Sequence, residues 1–198
     1  MSISDNLTRH LSSVSASERS MIKDQRPVVI WLTGLSAAGK STIANGLERA
    51  LLAQGKHTYL LDGDNVRLGL CKDLGFSDAD REENIRRISE VASLFVDAGL
   101  IVITAFISPF TKDRTLARTV VGDERFIEVY VNATLEECER RDPKGLYSKA
   151  RQGLIKNFTG IGSNYEPPLN PEIQVDTNSE SIETAVKKII NYLDERQL

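Results

Sequence analysis

Apolar residues fall along the chain in two rhythms. The first is short unbroken runs, β-branched and bounded by polar turns, as expected of strands covered on both faces. Val28-Val29-Ile30-Trp31-Leu32 after Pro27 is such a run, and residues 58–61, 100–106, 126–131 and 173–175 are the others. The second is helical spacing. Ile43, Leu47 and Leu51 predict a helix stopped by Gly55, and Ile85, Ile88, Ala92 and Phe95 predict a long helix over 79–98 stopped by Gly99. Residues 134–141 predict a short helix, and a polar helical segment precedes residue 126. Ile182, Val186, Ile189, Ile190 and Leu193 predict a last helix, opened by a capping box at Thr177-x-x-Glu180. Strand alternates with helix, which predicts an α/β fold with a central parallel sheet of about five strands. Residues 1–25 are polar and Ser-rich, with Leu7 and Leu11 spaced for a short weak helix; they form an arm, free to move, ahead of one domain over 26–198. Residues 142–171, rich in Gly, Pro and cations, form a mobile lid.

Composition narrows the class. A chain of 198 residues with 40% apolar and 27% charged positions is one ordinary globular domain. A net charge of −3 argues against a strongly basic nucleic-acid coat protein and for no nucleic-acid partner. Cys71 and Cys138 share no CxxC spacing and build no disulfide framework or zinc pattern, which suits the cytoplasm or another reducing compartment. No apolar run reaches the ~18 residues of a membrane span, and the polar N-terminus does not match a signal peptide. A soluble protein without a membrane partner is therefore expected.

Candidate chemistry begins after the first strand. Gly34-Leu35-Ser36-Ala37-Ala38-Gly39-Lys40-Ser41 fits GxxxxGK[ST], with a buried strand before it and an amphipathic helix after it. Such a loop turns its backbone N–H groups onto a phosphate, and the helix behind it adds a positive dipole end. Lys40 would reach the β- and γ-phosphates, and Ser41 would hold Mg²⁺. A nucleoside triphosphate follows from this motif; a choice between kinase and switch does not. No NKxD segment is present to read guanine. Asp62 and Asp64 close the second strand at the same sheet edge, where ligands of open α/β sheets bind. They can orient Mg²⁺, accept a hydroxyl proton or bind substrate; equally, Asp64 can cap a helix over 65–70.

Further stretches resemble the adenylylsulfate kinase (APS kinase) family. They are Asp62-Gly63-Asp64-Asn65-Val66-Arg67, Asp73-Leu74-Gly75-Phe76-Ser77, Asp80-Arg81, Glu83-Asn84-Ile85-Arg86-Arg87, Ile107-Ser108-Pro109, Arg141-Asp142-Pro143-Lys144-Gly145-Leu146-Tyr147, Lys149-Ala150-Arg151 and Phe158-Thr159-Gly160-Ile161. Arg9-His10 stands where many members carry Trp-His, which bears on any role of the arm. The resemblance implies a P-loop NTPase-type three-layer sandwich with a basic lid. It implies transfer of the γ-phosphoryl of ATP, with Mg²⁺, to the 3′-hydroxyl of adenosine 5′-phosphosulfate. It also implies a homodimer, and functional coupling to a separate ATP sulfurylase.

By that resemblance Gly34, Leu35, Ser36, Ala37, Ala38, Gly39, Lys40, Ser41, Thr42 and Arg141 bind ATP, and Ser41 and Asp62 hold the metal. Asp64, Arg67, Arg81, Asn84, Ile107 (through its backbone), Ser108 and Lys144 contact adenylylsulfate, while Phe76 and Phe158 stack on its adenine. Lys40, Asp62 and Ser108 form the catalytic set, with Ser108 positioning substrate rather than forming a phosphoserine, because no His or Lys adjoins it in sequence to activate it. The stretch from Arg140 to Lys156 carries six cations against Asp142 alone; this suits a lid over two anionic nucleotides, although such runs are also ordinary solvated faces. His10 and His57 lack metal-ligand partners and read as structural, and the cysteines read as packing residues. Competing readings are another small-molecule P-loop kinase, for a nucleoside or sugar acid, and a nucleotide-dependent switch with slow turnover.

Overall fold

The computed structural model describes residues 8, 10 and 12–197. Five strands form one all-parallel sheet: β1 (Val29–Thr33), β2 (Thr58–Asp62), β3 (Ile101–Ala105), β4 (Phe126–Asn132) and β5 (Ile173–Asp176), in the spatial order β2-β3-β1-β4-β5. Strand β1 is central and wholly buried, so its run is apolar on both sides. Its alternate residues feed separate cores. Ile30 and Leu32 pack with helix α2 (Lys40–Ala53) and helix α8 (Ile182–Glu195); Val29 and Trp31 pack with helix α4 (Asp78–Asp97) and helix α5 (Thr111–Val121). That is the expected three-layer sandwich.

Shorter helices α1 (Ala16–Lys23), α3 (Gly63–Leu68), α6 (Leu135–Arg141) and α7 (Leu146–Arg151) complete the order. Leu7 and Leu11, with Arg9, lie outside the described residues. The arm's helix is α1, started by a Ser15/Glu18 capping box, and Arg19 pairs with Asp97 at 2.6 Å near the end of α4. Gln25 then fastens the approach to β1, its amide donating to the carbonyls of His57 and Gly99 at 2.9 and 2.8 Å.

Two cap assignments differ from expectation. The last helix is capped by Ser181, not by Thr177-x-x-Glu180. Glu180 instead accepts the N–H of Asp176, and the Thr177 hydroxyl turns to the carbonyls of Ala38 and Asn132. Helix α3 is capped by Asp62, whose carboxylate accepts the N–H of Asp64; Asp64 itself lies in the first turn. A backbone still extended at Asp62 (φ −93°, ψ 140°) makes it the last non-helical residue, which is the cap position. The lid region contains α7 and an isolated bridge between Thr159 and Ser163.

Candidate active site

The glycine loop leaves β1 at the carboxyl edge of the sheet, and α2 starts immediately behind it. Gly34 is required by close approach: a Cβ there would lie 2.3 Å from the carbonyl oxygen of Val131. Gly39 occupies the cap position of α2 with no side-chain cap and no acidic residue in the first turn. The first-turn N–H groups thus meet neither a capping side chain nor a local carboxylate, which leaves a positive helix end to an anion.

Lys40 folds over the loop, its amine 2.9 Å from the carbonyl oxygen of Gly34 and 2.6 Å from that of Leu35. Burial pulls its pKa down to about 8. Ser41 donates its hydroxyl to Asp62 at 2.7 Å. Arg141 reaches the loop's far side, donating at 2.7 and 3.1 Å to the carbonyl and hydroxyl of Thr177 and at 3.4 Å to the carbonyl of Ala37. Glu137 braces that guanidinium at 2.8 Å, and the Arg140 and Arg141 guanidiniums hold its carboxyl down at about 2. The expected phosphate loop, Lys40, Ser41, Asp62 and Arg141 are therefore brought together; Thr42 lies in the first turn of α2.

Ser41 and Asp62 offer two oxygen donors beside the loop. Mg²⁺ is commonly held by one or two protein oxygens plus substrate phosphates, so this pair fits it without the larger carboxylate cage that is absent among the described residues.

The residues expected to contact the acceptor lie on α3, α4, the Ile107 turn and the lid. Asp64 meets Lys144 of the lid in an ion pair. Arg67 lies 4.5 Å over the ring of Phe76, which is 64% exposed. Ser77 and Asp80 form a capping box that starts α4 and places Arg81 one turn in. Arg81 ties this helix to the lid: it donates to the carbonyl of Phe76 at 3.0 Å, to the carbonyl of Asn157 at 2.6 Å and to the Thr159 hydroxyl. One turn on, Asn84 is 3% exposed with its amide oxygen unpartnered. A buried amide oxygen without a donor points to a missing ligand or water.

Ser108 is buried, at φ +39°, and its hydroxyl accepts the Trp31 indole N–H at 3.1 Å. Nothing activates it as a nucleophile, in keeping with a positioning role. Phe158 departs from expectation: it is 8% exposed and packs edge-to-face on Tyr147, ring centroids 5.0 Å apart, within the core. Its Gly-flanked polar neighbours hid this, because the contact is made with another part of the lid. In this conformation only Phe76 offers an open ring. Cys71 and Cys138 are free and buried, as packing residues.

The sequence reading missed Thr177, whose hydroxyl accepts from Arg141 and donates towards the loop carbonyl of Ala38 at 2.9 Å, and Tyr147, which donates to the carbonyl of Ser36 at 3.0 Å. Thr177 is expected only as a helix cap and Tyr147 only within a family stretch, because their bonds to the loop span more than one hundred residues of chain.

Comparison with known proteins agrees with this geometry. A model of the adenylylsulphate kinase family matches residues 26–176. The adenylyl-sulfate kinase of Pseudomonas aeruginosa is 63% identical over 185 residues, covering 93% of this chain and 94% of that one. That of Marinobacter nauticus is 58% identical, covering 98% and 97%. The Mycobacterium tuberculosis APS kinase, solved with AMPPNP and APS, superposes with a TM-score of 0.83 at 49% identity, over 86% of this chain and 99% of that one. With the nucleotide loop, the acidic seam and the acceptor-side motifs set on one sheet edge as described, the chain belongs to the adenylylsulfate kinase family.

Proposed function

We propose that this kinase transfers the γ-phosphoryl group of ATP to the 3′-hydroxyl of adenosine 5′-phosphosulfate, giving 3′-phosphoadenosine 5′-phosphosulfate and ADP. The observation that carries the reading is the position of Asp62. Its carboxylate accepts from Ser41 on the donor side and from the N–H of Asp64 on the acceptor side. One carboxylate thus stands at the seam where a γ-phosphate and a hydroxyl would meet.

The residues divide the work. The loop from Gly34 to Thr42 and Arg141 hold the triphosphate, and Lys40 swings from the loop carbonyls onto the β- and γ-oxygens. Ser41 and Asp62 would hold Mg²⁺, which would supply charge neutralisation at the phosphates. Asp64, Arg67, Arg81, Asn84, Lys144 and the Ile107-Ser108 turn orient adenylylsulfate, with Phe76 and Phe158 at its adenine; Phe158 must leave its packing on Tyr147 to do so. The 3′-oxygen attacks the γ-phosphorus in line, the bond to the ADP oxygen breaks, and the hydroxyl proton passes to Asp62. Such transfer rests on positioning and electrostatics rather than on a covalent enzyme intermediate. Among the described residues no basic side chain is bonded to the Ser108 hydroxyl, which only accepts the Trp31 indole N–H, and this supports direct transfer.

Following the family, we place the chain in a homodimer in the cytoplasm or another reducing compartment, coupled functionally to a separate ATP sulfurylase. Two buried thiols support the compartment, and no described helix is long and apolar enough to cross a membrane. The deciding experiment is Mg-ATP turnover with and without adenylylsulfate, with the product identified by mass. ADP formation should depend strongly on the acceptor. Equal ADP formation in both cases overturns the reading in favour of a slow nucleotide switch.

A further inference from the structure

Ser108 holds a left-handed backbone, φ +39°, which a residue with a side chain keeps only where its surroundings fix it. What fixes it comes from outside the assigned site. Arg114, 3% exposed in α5, donates to the Ser108 carbonyl at 2.7 Å. The same guanidinium donates to the Glu166 carbonyl at 2.7 Å, at the C-terminal root of the lid. Its third side meets the carboxylate of Glu128 at 2.8 Å. The planar fork of arginine lets one side chain serve three directions, which an ammonium on a flexible stem does not do.

A second link runs beside it. Thr33 closes β1 just before the phosphate loop and donates to the Ile107 carbonyl at 2.8 Å. Its hydroxyl proton being spent there, the Tyr165 hydroxyl 3.0 Å away must donate to it. The Ile107 carbonyl also receives the Gly34 N–H at 3.5 Å. The lid root is further clipped to this turn, the Glu166 N–H donating to the Pro109 carbonyl at 2.8 Å. Phosphate loop, acceptor turn and lid root therefore meet at one largely buried polar node.

We propose that Arg114 and Tyr165 are positioning residues for phosphoryl transfer: together they hold the strained Ile107-Ser108 turn in register with the phosphate loop and with the anchored end of the lid. The inference rests on the acceptor reading of Ser108. Neither residue touches the reacting atoms. Their loss lets the turn relax, which moves the acceptor rather than the nucleotide. Misplacement by ~1 Å can cost roughly a hundred-fold in rate.

The test uses Tyr165→Phe and Arg114→Lys in the full chain. Arg114→Lys keeps a charge for Glu128 but gives up the fork. Trp31 is the only tryptophan, and its indole is bonded to the Ser108 hydroxyl, so its emission reports the turn in the folded protein. In both variants kcat should fall about ten-fold or more while KM for ATP stays within about two-fold. Native-state Trp31 emission should shift in Arg114→Lys. A folded Tyr165→Phe with wild-type kcat overturns the proposal, as does a folded Arg114→Lys with wild-type kcat and emission. Should Arg114→Lys fail to fold, Tyr165→Phe decides alone. A wild-type chain that does not phosphorylate adenylylsulfate sinks the substrate assignment instead, and the emission measurement, which needs no turnover, still decides the structural claim.

Discussion

Lys40 is buried among loop carbonyls, and burial is the main cause that depresses its pKa to about 8. Phosphate oxygens beside the amine favour its charged form, so bound nucleotide must raise that value. At pH 8 the free site is about half protonated, and binding should take up about half a proton per site. At pH 6 the amine is already charged and uptake should approach zero. Calorimetric titration of nucleotide in buffers of different ionisation heat measures this, with Lys40→Ala as the control that takes up none. Asp62 caps α3 and, in the proposed mechanism, also serves the chemistry; two substitutions separate the two roles. Asparagine is as good a cap as aspartate, so Asp62→Asn should melt close to wild type yet lose at least ~10²-fold in kcat. Asp62→Ala should lose the rate and also about 1 kcal/mol of stability. Comparable kcat in Asp62→Asn and wild type would remove Asp62 from the chemistry. Lys40, Ser41 and Asp62 were legible in the sequence because a strand, a loop and a helix start fall on consecutive residues there. Arg114, Tyr165 and Thr177 were not, because Arg114 and Thr177 act mainly on backbone carbonyls, which leave no trace in residue type, and Tyr165 meets the Thr33 hydroxyl across a long stretch of chain.

The capped N-terminus of α4 carries the proposed acceptor residues Arg81 and Asn84 on successive turns. Removing the cap by Ser77→Ala should cost about 0.5–2 kcal/mol and fray that turn. The expected kinetic result is a several-fold rise in KM for adenylylsulfate with KM for ATP unchanged. Steady-state kinetics in each substrate checks it, and equal changes in both KM values would show that the turn does not belong to the acceptor alone. Element limits were mostly readable here. The long helix expected over 79–98 spans Asp78–Asp97, because an apolar stripe between a serine cap and a glycine stop defines both ends. Caps were harder. Thr177 and Ser181 both suit the N-cap of α8, and the choice depends on Thr177 being claimed by the phosphate loop. The lid was legible as a cationic stretch but not as a braced one. Glu137 and Glu139, just before that stretch, and Asp64 of α3 take up Arg140, Arg141, Arg151 and Lys144. Much of the charge counted as free for substrate is therefore paired in this conformation.

Across the whole molecule, the strand order followed from alternation only as far as a parallel sheet; the placement of β1 between β3 and β4 is a tertiary fact. Its result is that the phosphate loop after β1 and the Asp62 and Ile107-Ser108 turns after β2 and β3 share one carboxyl edge, where the proposed reaction places two adenine nucleotides. With ADP still bound, a second adenylylsulfate can enter and close the lid on a complex that cannot react. Initial rate should therefore pass through a maximum as adenylylsulfate rises, and added ADP should move that maximum to lower concentration. A rate that climbs to a flat plateau would show that the lid releases products before a second acceptor binds. The opposite edge of the sheet has a different character. There Arg26, at the approach to β1, and Arg196, just past α8, line one cleft of about 420 Å³ with Pro27, Val28, Glu124 and Arg125. The approach to β1 and the end of α8 thus surface side by side, separated from the phosphate loop by the length of β1. A short linker between residues 26 and 196, in place of α1, could therefore join these two points while new termini open elsewhere. Such a circularly permuted chain should keep its catalytic rim intact, because the join lies at the opposite edge of the sheet.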